Sequence, residues 1–213
     1  MDGCFRIGPE MAIQVLVVEP LFEEANRMRR TLTSVMRGLA RHGIGSILPD
    51  LPGTGESLTE IAEVRLAYLQ AAVKDVADRV RGSSTRLIIA SFRGGALIDA
   101  RAQADSWWRC APETGSRLIR DLKRTQMASN DKGERLKLAG HALSPNFIAE
   151  LEAAIPTAVQ PVRTVRLATD AAEADAKIVG SPLWRRAEPG EDPQFCDAIV
   201  ADLVEWSRTC VAA

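Results

Sequence analysis

The sequence has little with which to hold a metal ion or to form disulfides. Only two of its 213 residues are histidine, and its four cysteines show no paired spacing. These six residues are Cys4, His42, Cys110, His141, Cys196 and Cys210. Zinc sites need clusters of such ligands, and a disulfide framework needs paired cysteines in a secreted chain. We therefore expect no metal, no cofactor, free thiols and a cytoplasmic location.

Long hydrophobic runs and an excess of charge of one sign are also missing. The apolar run from Ile13 to Val18 ends at Glu19, far short of the roughly 20 residues that span a bilayer. The 27 basic and 28 acidic residues nearly cancel, so no net field attracts nucleic acid. With 46% hydrophobic residues the chain can bury a core and fold as one domain, residues 1–213. The sequence does not decide whether that domain forms a homo-oligomer. The expected partner is a small molecule, with no nucleic acid and no transmembrane segment.

Short apolar runs alternate with helical periodicity along the chain. Strands are predicted over 12–18, 44–48, 86–90, 107–110, 136–139, 162–167 and 177–179. Helices are predicted over 23–42, 57–80, from the turn at 91–95 to about 104, over 116–127, from Ser144 onward, and around the stripe from Phe195 to Trp206. This alternation predicts an α/β fold with a mostly parallel sheet and helices on both faces. The pattern is weakest over 113–157, where we expect a small cap insertion.

The third predicted strand runs into a glycine-rich turn at residues 91–95 (SFRGG), which is the context of a nucleophile elbow. Residues two before and two after the centre of such a turn must be small, because the backbone passes close by. If Ser91 were central, these neighbours would be the bulky Ile89 and Arg93. If Arg93 is central, they are Ser91 and Gly95, which fit. The sequence thus predicts an arginine where a nucleophile normally stands, and a guanidinium stays protonated and cannot attack.

Two roles are open for Arg93. With the N–H of Gly94 at a helix N-terminus, it could grip an anionic ligand. Alternatively, it could form an internal salt bridge with Glu23 or Glu24, which begin the first predicted helix. Asp170, after the strand at 162–167, is the competing partner.

The segments 20–26 (PLFEEAN) and 49–57 (PDLPGTGES) resemble the α/β-hydrolase superfamily. More narrowly, the chain resembles the hydrolase-like proteins encoded with bacterial exosortase (PEP-CTERM) systems, which similarly place arginine in the elbow. This resemblance implies an α/β-hydrolase-type three-layer sandwich with a reduced cap. It also suggests protein sorting or exopolysaccharide as the setting.

Active α/β-hydrolases carry a nucleophile, then an acid, then a histidine in chain order. Asp170 stands at the acid position, but residues 180–184 occupy the histidine position and no histidine follows His141. We therefore expect a non-catalytic or atypical hydrolase, a pseudoenzyme, that binds a small anionic or carbohydrate-related ligand. The predicted ligand-binding residues are Phe22, Glu23, Glu24, Arg93, Gly94 and Asp170.

Two alternatives remain. One is an active ester or acyl hydrolase with a relocated nucleophile, Ser91 or Cys110, and with His141 as the base. The other is a scaffold or assembly protein that uses the fold without a ligand.

Overall fold

The computed structural model describes residues 3–55, 57–81, 86–128, 138, 140–186 and 188–209. Its strands form one sheet in the order β1-β3-β2-β4-β5-β6-β7. All neighbours are parallel except β1 and β3, which are antiparallel. The strands are β1 Cys4–Ile7, β2 Ile13–Val18, β3 Ile44–Pro49, β4 Arg86–Phe92, β5 Ser106–Cys110, β6 Val162–Leu167 and β7 Ala176–Ile178.

Helices cover both faces of this sheet. The α-helices are α1 Glu23–Arg41, α2 Leu66–Arg81, α3 Gly115–Ala128, α4 Pro145–Ala153 and α5 Pro193–Thr209. Short 3-10 helices span Ile61–Glu63, Arg93–Leu97 and Leu183–Arg185. None of the helices in the described part of the chain is both long enough and apolar enough to cross a membrane.

Two hydrophobic cores lie on opposite faces because successive strand residues point to opposite sides. Val15 and Val17 of β2 pack with the apolar stripes of α1 and α5. Leu16 and Val18 of the same strand pack with residues of α2, α3 and α4. The predicted three-layer sandwich is therefore confirmed.

Most predicted elements are present, with small shifts at their ends. The predicted strand at 162–167 has the bounds of β6. Ser144 caps α4 as expected, since its Oγ accepts a hydrogen bond from the Phe147 N–H at 3.2 Å. The edge strand β1 was not predicted. Most of the predicted strand at 136–139 lies outside the described residues; Leu138 forms only an isolated bridge with His141.

Two predicted helices were wrong in extent. The helix expected from Ser57 begins only at Leu66, because the Ser57 hydroxyl instead accepts hydrogen bonds from the N–H groups of Gly53 and Thr59 within the turn. The helix expected to reach residue 104 ends as a single 3-10 turn at Leu97. Beyond it, Asp99 turns inward and pairs with two buried side chains, which an exposed helix could not do.

The segment 113–157, predicted as a cap, contributes α3 and α4. Their buried residues Leu118, Ile119, Phe147 and Leu151 belong to the same core as α2. The role of a cap stays a prediction.

Close packing at the turn after β4 yields a stability prediction. A Cβ added at Gly95 would lie 2.7 Å from the carbonyl oxygens of Val18 and Glu19. Because both obstacles are backbone atoms of a buried strand end, Gly95→Ala should lower the free energy of unfolding by about 2 kcal/mol in a urea titration. In the control Gly190→Ala, the nearest atom is the movable end of the Arg186 side chain. If both variants match the wild type, the turn is not as tightly packed as described.

Candidate functional site

Three non-glycine residues with left-handed backbone angles lie at the carboxyl ends of neighbouring strands. Phe22 (φ 60°) follows β2, Arg93 (φ 53°) follows β4, and Ala111 (φ 46°) follows β5. They are the non-glycine residues with positive φ in the described ranges. Such angles are costly without special support and concentrate at functional sites. The angle at Arg93 confirms the predicted elbow centred on this residue.

The Arg93 side chain forms salt bridges with two carboxylates, those of Glu24 and Glu113. We call these three residues the clamp. Its Nε and Nη2 donate hydrogen bonds to the two carboxylate oxygens of Glu24, each at 3.2 Å. Its Nη1 donates to Glu113 Oε2 at 3.3 Å and to the Ala111 carbonyl oxygen at 3.2 Å. The Cζ atom lies 4.9 Å from the ring centroid of Trp184. With a side chain only 5% exposed, Arg93 is a buried charge that the protein itself neutralises.

The two carboxylates of the clamp leave little positive charge on Arg93 for an anion to bind. Burial lowers the pKa of Arg93, but Glu24 and Glu113 outweigh it and raise that pKa. Burial raises the pKa of Glu24, and the adjacent guanidinium only partly lowers it. Four of the five guanidinium N–H donors are already used. An additional anion would have to compete with two carboxylates for one cation.

The other predicted site residues face elsewhere. Asp170 pairs with Arg166, with Nη1 to Oδ2 at 3.0 Å; a hydrogen bond from the Ala172 N–H is the largest cause that lowers the Asp170 pKa. Glu23 lies 3.4 Å from Nε2 of His141. Of the six predicted residues, Arg93 and Glu24 are therefore the two that form the salt bridge.

Phe22 and Gly94 pack against neighbouring side chains and take no part in the salt bridges of Arg93. The Phe22 ring packs against His141, with ring centroids 5.3 Å apart. Gly94 is buried, and a Cβ there would meet Leu118 and Leu21 at 3.3 Å. Both residues therefore shape the edge of the sheet around Arg93.

Glu113 is a partner of Arg93 that the sequence analysis missed. Its backbone lies just beyond β5, and its N–H donates to the Arg93 carbonyl oxygen at 3.4 Å. An acidic residue shortly after a strand adjacent to the elbow strand was the available signal, because these strand ends meet at one edge of the sheet.

The proposed alternative nucleophiles are buried in other interactions. The Ser91 hydroxyl is 2.7 Å from Asp99 Oδ2, and Asp99 is held by Arg109 at 2.6 and 2.9 Å. Cys110 is buried, and this burial raises the pKa of its thiol to about 12. His141 packs beside Glu23 and Phe22, and burial lowers its pKa. Within the described ranges, no contact joins this imidazole to either nucleophile.

Two cavities open beside the clamp. One of about 390 Å³ lies between the start of α1, α3 and the turn at Leu183–Arg185, and its lining includes Glu24, Arg27, Asp121, Trp184 and Arg185. We call it the arginine cavity. The other, of about 220 Å³, lies across the Pro20–Phe22 loop and is lined by Glu19, Phe22, Leu51, His141 and Phe147, among others. We call it the Glu19 cavity. Arg93 lines neither of them.

Neither the clamp nor the cavities resemble a metal centre. Over the described parts of the chain, no three His, Cys, Asp or Glu side chains come together in a way that could hold an ion. The salt bridges of the clamp instead satisfy the carboxylates that a metal would need as ligands.

The clamp yields a prediction with a pH dependence. Arg93→Met removes the cation that counters the effect of burial on Glu24, so the pKa of Glu24 should rise further above its ordinary 4.5. A carboxyl group whose pKa is higher in the folded than in the unfolded protein does not destabilise the fold at a pH below the unfolded pKa. It lowers the free energy of unfolding more and more as the pH rises through the folded pKa. The variant should therefore lose about 3 kcal/mol of unfolding free energy at pH 8 and much less at pH 4.5, measured by urea titration.

The matched control is Glu23→Gln, at a neighbouring carboxylate that is 42% exposed. It should change the unfolding free energy little at either pH. An Arg93→Met protein as stable as the wild type at pH 8 would contradict the clamp.

Comparison by sequence with models of known families and with curated proteins gives no match. Comparison of structures does give matches. Est1E from Butyrivibrio proteoclasticus, solved with ferulic acid bound, has a TM-score of 0.62 at 13% identity, covering 99% of this chain and 95% of that one. Mouse alpha/beta hydrolase domain-containing protein 10 has a TM-score of 0.65 at 13% identity, covering 97% and 93%.

A soluble variant of monoglyceride lipase from Saccharomyces cerevisiae, in complex with a substrate analogue, is also similar. Its TM-score is 0.58 at 11% identity, covering 94% of this chain and 87% of that chain. At such identities the likeness concerns the fold. Together with the parallel sheet and the elbow at Arg93, it shows that this chain has the α/β-hydrolase fold.

Proposed function

We propose that this protein binds a small ligand with an anionic group, such as an acidic sugar, and does not perform serine-hydrolase chemistry. The observation that carries the proposal is the buried guanidinium of Arg93 at the elbow, held by Glu24 and Glu113. A permanently protonated group cannot serve as a nucleophile. The ligand site is then the arginine cavity beside the clamp rather than Arg93 itself.

The chemistry around the elbow supports the non-hydrolytic half of the proposal. A hydroxyl nucleophile needs a base in hydrogen-bonding reach. The Ser91 hydroxyl contacts a carboxylate that Arg109 already holds in a salt bridge. A thiol with a pKa of about 12, as in Cys110, is almost wholly protonated at neutral pH and is a weak nucleophile.

The arginine cavity supports the anionic half. Two of its three acidic residues, Glu24 and Asp121, are paired with Arg93 and Arg124, and the third, Glu23, lies beside the imidazole of His141. By contrast, Arg27 and Arg185 have no carboxylate within 4 Å among the described residues, and Arg27 contacts only the Trp184 carbonyl oxygen, at 2.9 Å. Two guanidiniums with free donors favour a carboxylate or phosphate.

The biological process that we propose for this binding rests on the resemblance to exosortase-associated proteins. Motifs such as PLFEEAN at 20–26 support a bacterial, cytoplasmic pseudoenzyme linked to exopolysaccharide or protein sorting. A ligand that is both carbohydrate-related and anionic suits that setting.

The binding half is tested by titrating the protein with glucuronate and, as a neutral match, glucose. Glucuronate should bind more tightly because its carboxylate pairs with the free guanidiniums. The double variant Arg27→Ala with Arg185→Ala should weaken glucuronate at least about tenfold by calorimetry, whereas Arg37→Ala, further along α1 and outside the cavity, should not. Equal binding of the two sugars, or an unchanged double variant, would contradict an anion site here.

The catalytic half is tested with short p-nitrophenyl acyl esters. We expect the wild type, Ser91→Ala and His141→Ala to release nitrophenol at the same rate as buffer, because none of them has a nucleophile paired with a base. Turnover by the wild type that disappears in either variant would establish a relocated hydrolase site and refute this half of the proposal.

A further inference from the structure

The Glu19 cavity contains a buried carboxylate without a partner. Glu19 directly follows β2 and is only 4% exposed. Among the described residues, none donates a hydrogen bond to it. The nearby charges, Arg29 and Asp50, act on it only through space, and they are paired with each other, with Nη2 to Oδ1 at 3.1 Å. An ionised carboxylate that is buried and unpaired is unfavourable unless it takes up a proton or a cationic ligand compensates its charge.

A second polar atom without a hydrogen bond lies at the same cavity. Nε2 of His141 is buried and makes no hydrogen bond within the described part of the chain. Because burial lowers the pKa of His141, the imidazole is neutral near pH 7. It therefore does not supply a cation to Glu19, and a neutral imidazole has one N–H donor and one acceptor nitrogen available for hydrogen bonds.

Much of the remaining lining is apolar and includes two aromatic rings, although Asn26, Arg29 and Thr54 also contribute to it. The rings of Phe22 and Phe147 are 6.3 Å apart, and Leu51, Ile61 and Val64 lie among the apolar walls. A cation beside an aromatic face is attracted by the ring quadrupole. An apolar pocket with one carboxylate and two rings combines attraction for a positive charge with space for a hydrocarbon body.

We propose that the Glu19 cavity is a second ligand site, which binds a small organic ammonium ion with an apolar body. The ammonium group lies between the Glu19 carboxylate and the Phe22 ring, and the hydrocarbon part lies against Phe147 and the apolar walls. Arg29 also lines the cavity, but its guanidinium is paired with Asp50, so the ionised carboxylate of Glu19 has no direct counter-ion among the described residues. This inference does not depend on the anion site in the arginine cavity.

Binding at this site is coupled to a proton. Burial raises the pKa of Glu19 to about 7, partly countered by Arg29 and reinforced by Asp50. Below that value the carboxyl is protonated and must release its proton before it can pair with a cation. Affinity therefore increases as the pH rises from 6 to 8. The other charged or titratable groups at the cavity are Arg29, which is paired with Asp50, and His141, whose pKa is lowered by burial and which lies beside Glu23.

The test compares three probes of one shape, namely benzylamine, benzyl alcohol and benzoate, by calorimetry at pH 6 and pH 8. Wild-type protein should bind benzylamine at least about tenfold more tightly than the alcohol at pH 8, and benzoate least of all. Glu19→Gln keeps the shape of the side chain but removes its charge, so it should abolish both the preference for the amine and the pH dependence. The control Glu23→Gln should keep both.

Three results would overturn the proposal. They are equal affinity for amine and alcohol, a preference for the amine that survives in Glu19→Gln, and no benzylamine binding up to millimolar concentration. If Glu19→Gln fails to fold, Phe22→Leu keeps the apolar bulk and removes one ring. It should weaken benzylamine severalfold and leave benzyl alcohol unchanged; equal effects on both probes would count against the site. Failure of glucuronate to bind would leave these outcomes unaffected.

Discussion

The guanidinium of Arg93 joins segments that are far apart in the sequence. It connects the end of β4 to Glu24 at the start of α1, to Ala111 and Glu113 after β5, and to Trp184 near the end of the chain. A buried cation requires all of its partners in place, since removing one leaves charge uncompensated. The salt bridge thereby fixes the carboxyl edge of the sheet, including the left-handed residues Arg93 and Ala111. Both cavities are built on this fixed edge.

Those cavities present opposite chemistry on either side of one loop. The loop Pro20–Phe22 separates the free guanidiniums of Arg27 and Arg185 from the unpaired carboxylate of Glu19. Charges that are already paired inside the protein, such as Arg93 and Asp99, stabilise the fold. Charges left without partners at the same edge are the ones that ligands can use. This distinction moves the proposed anion site from Arg93 to its neighbours.

Much of the fold could be predicted from hydrophobic periodicity. The strand at 162–167 and the helix at 23–42 follow from local pattern alone, and the steric requirement for small neighbours identified Arg93 as the elbow residue. The short helix after Arg93 could not be predicted locally, because the inward turn of Asp99 depends on Ser91 and on Arg109 of the next strand. Edge strand β1 was missed for a similar reason: it has only four residues, and its pairing with β3 is a tertiary contact.

The site was less predictable, because burial and direction rather than residue type decide it. Glu23 and Glu24 are adjacent, yet successive helix residues point about 100° apart, and only Glu24 reaches Arg93. The sequence analysis missed Glu19 as well, since only its burial without a partner distinguishes it from an ordinary surface carboxylate.

A double-mutant cycle between Arg93 and Glu24 tests the central salt bridge most directly. The unfolding free energies of the wild type, Arg93→Met, Glu24→Gln and the double variant give the coupling energy at pH 8. We predict a coupling energy of about 2 kcal/mol or more, because removing one partner of a buried ion pair leaves the other charge buried and unpaired. A coupling of about 0.5 kcal/mol or less, typical of exposed ion pairs, would contradict the claim that this bridge holds the site together.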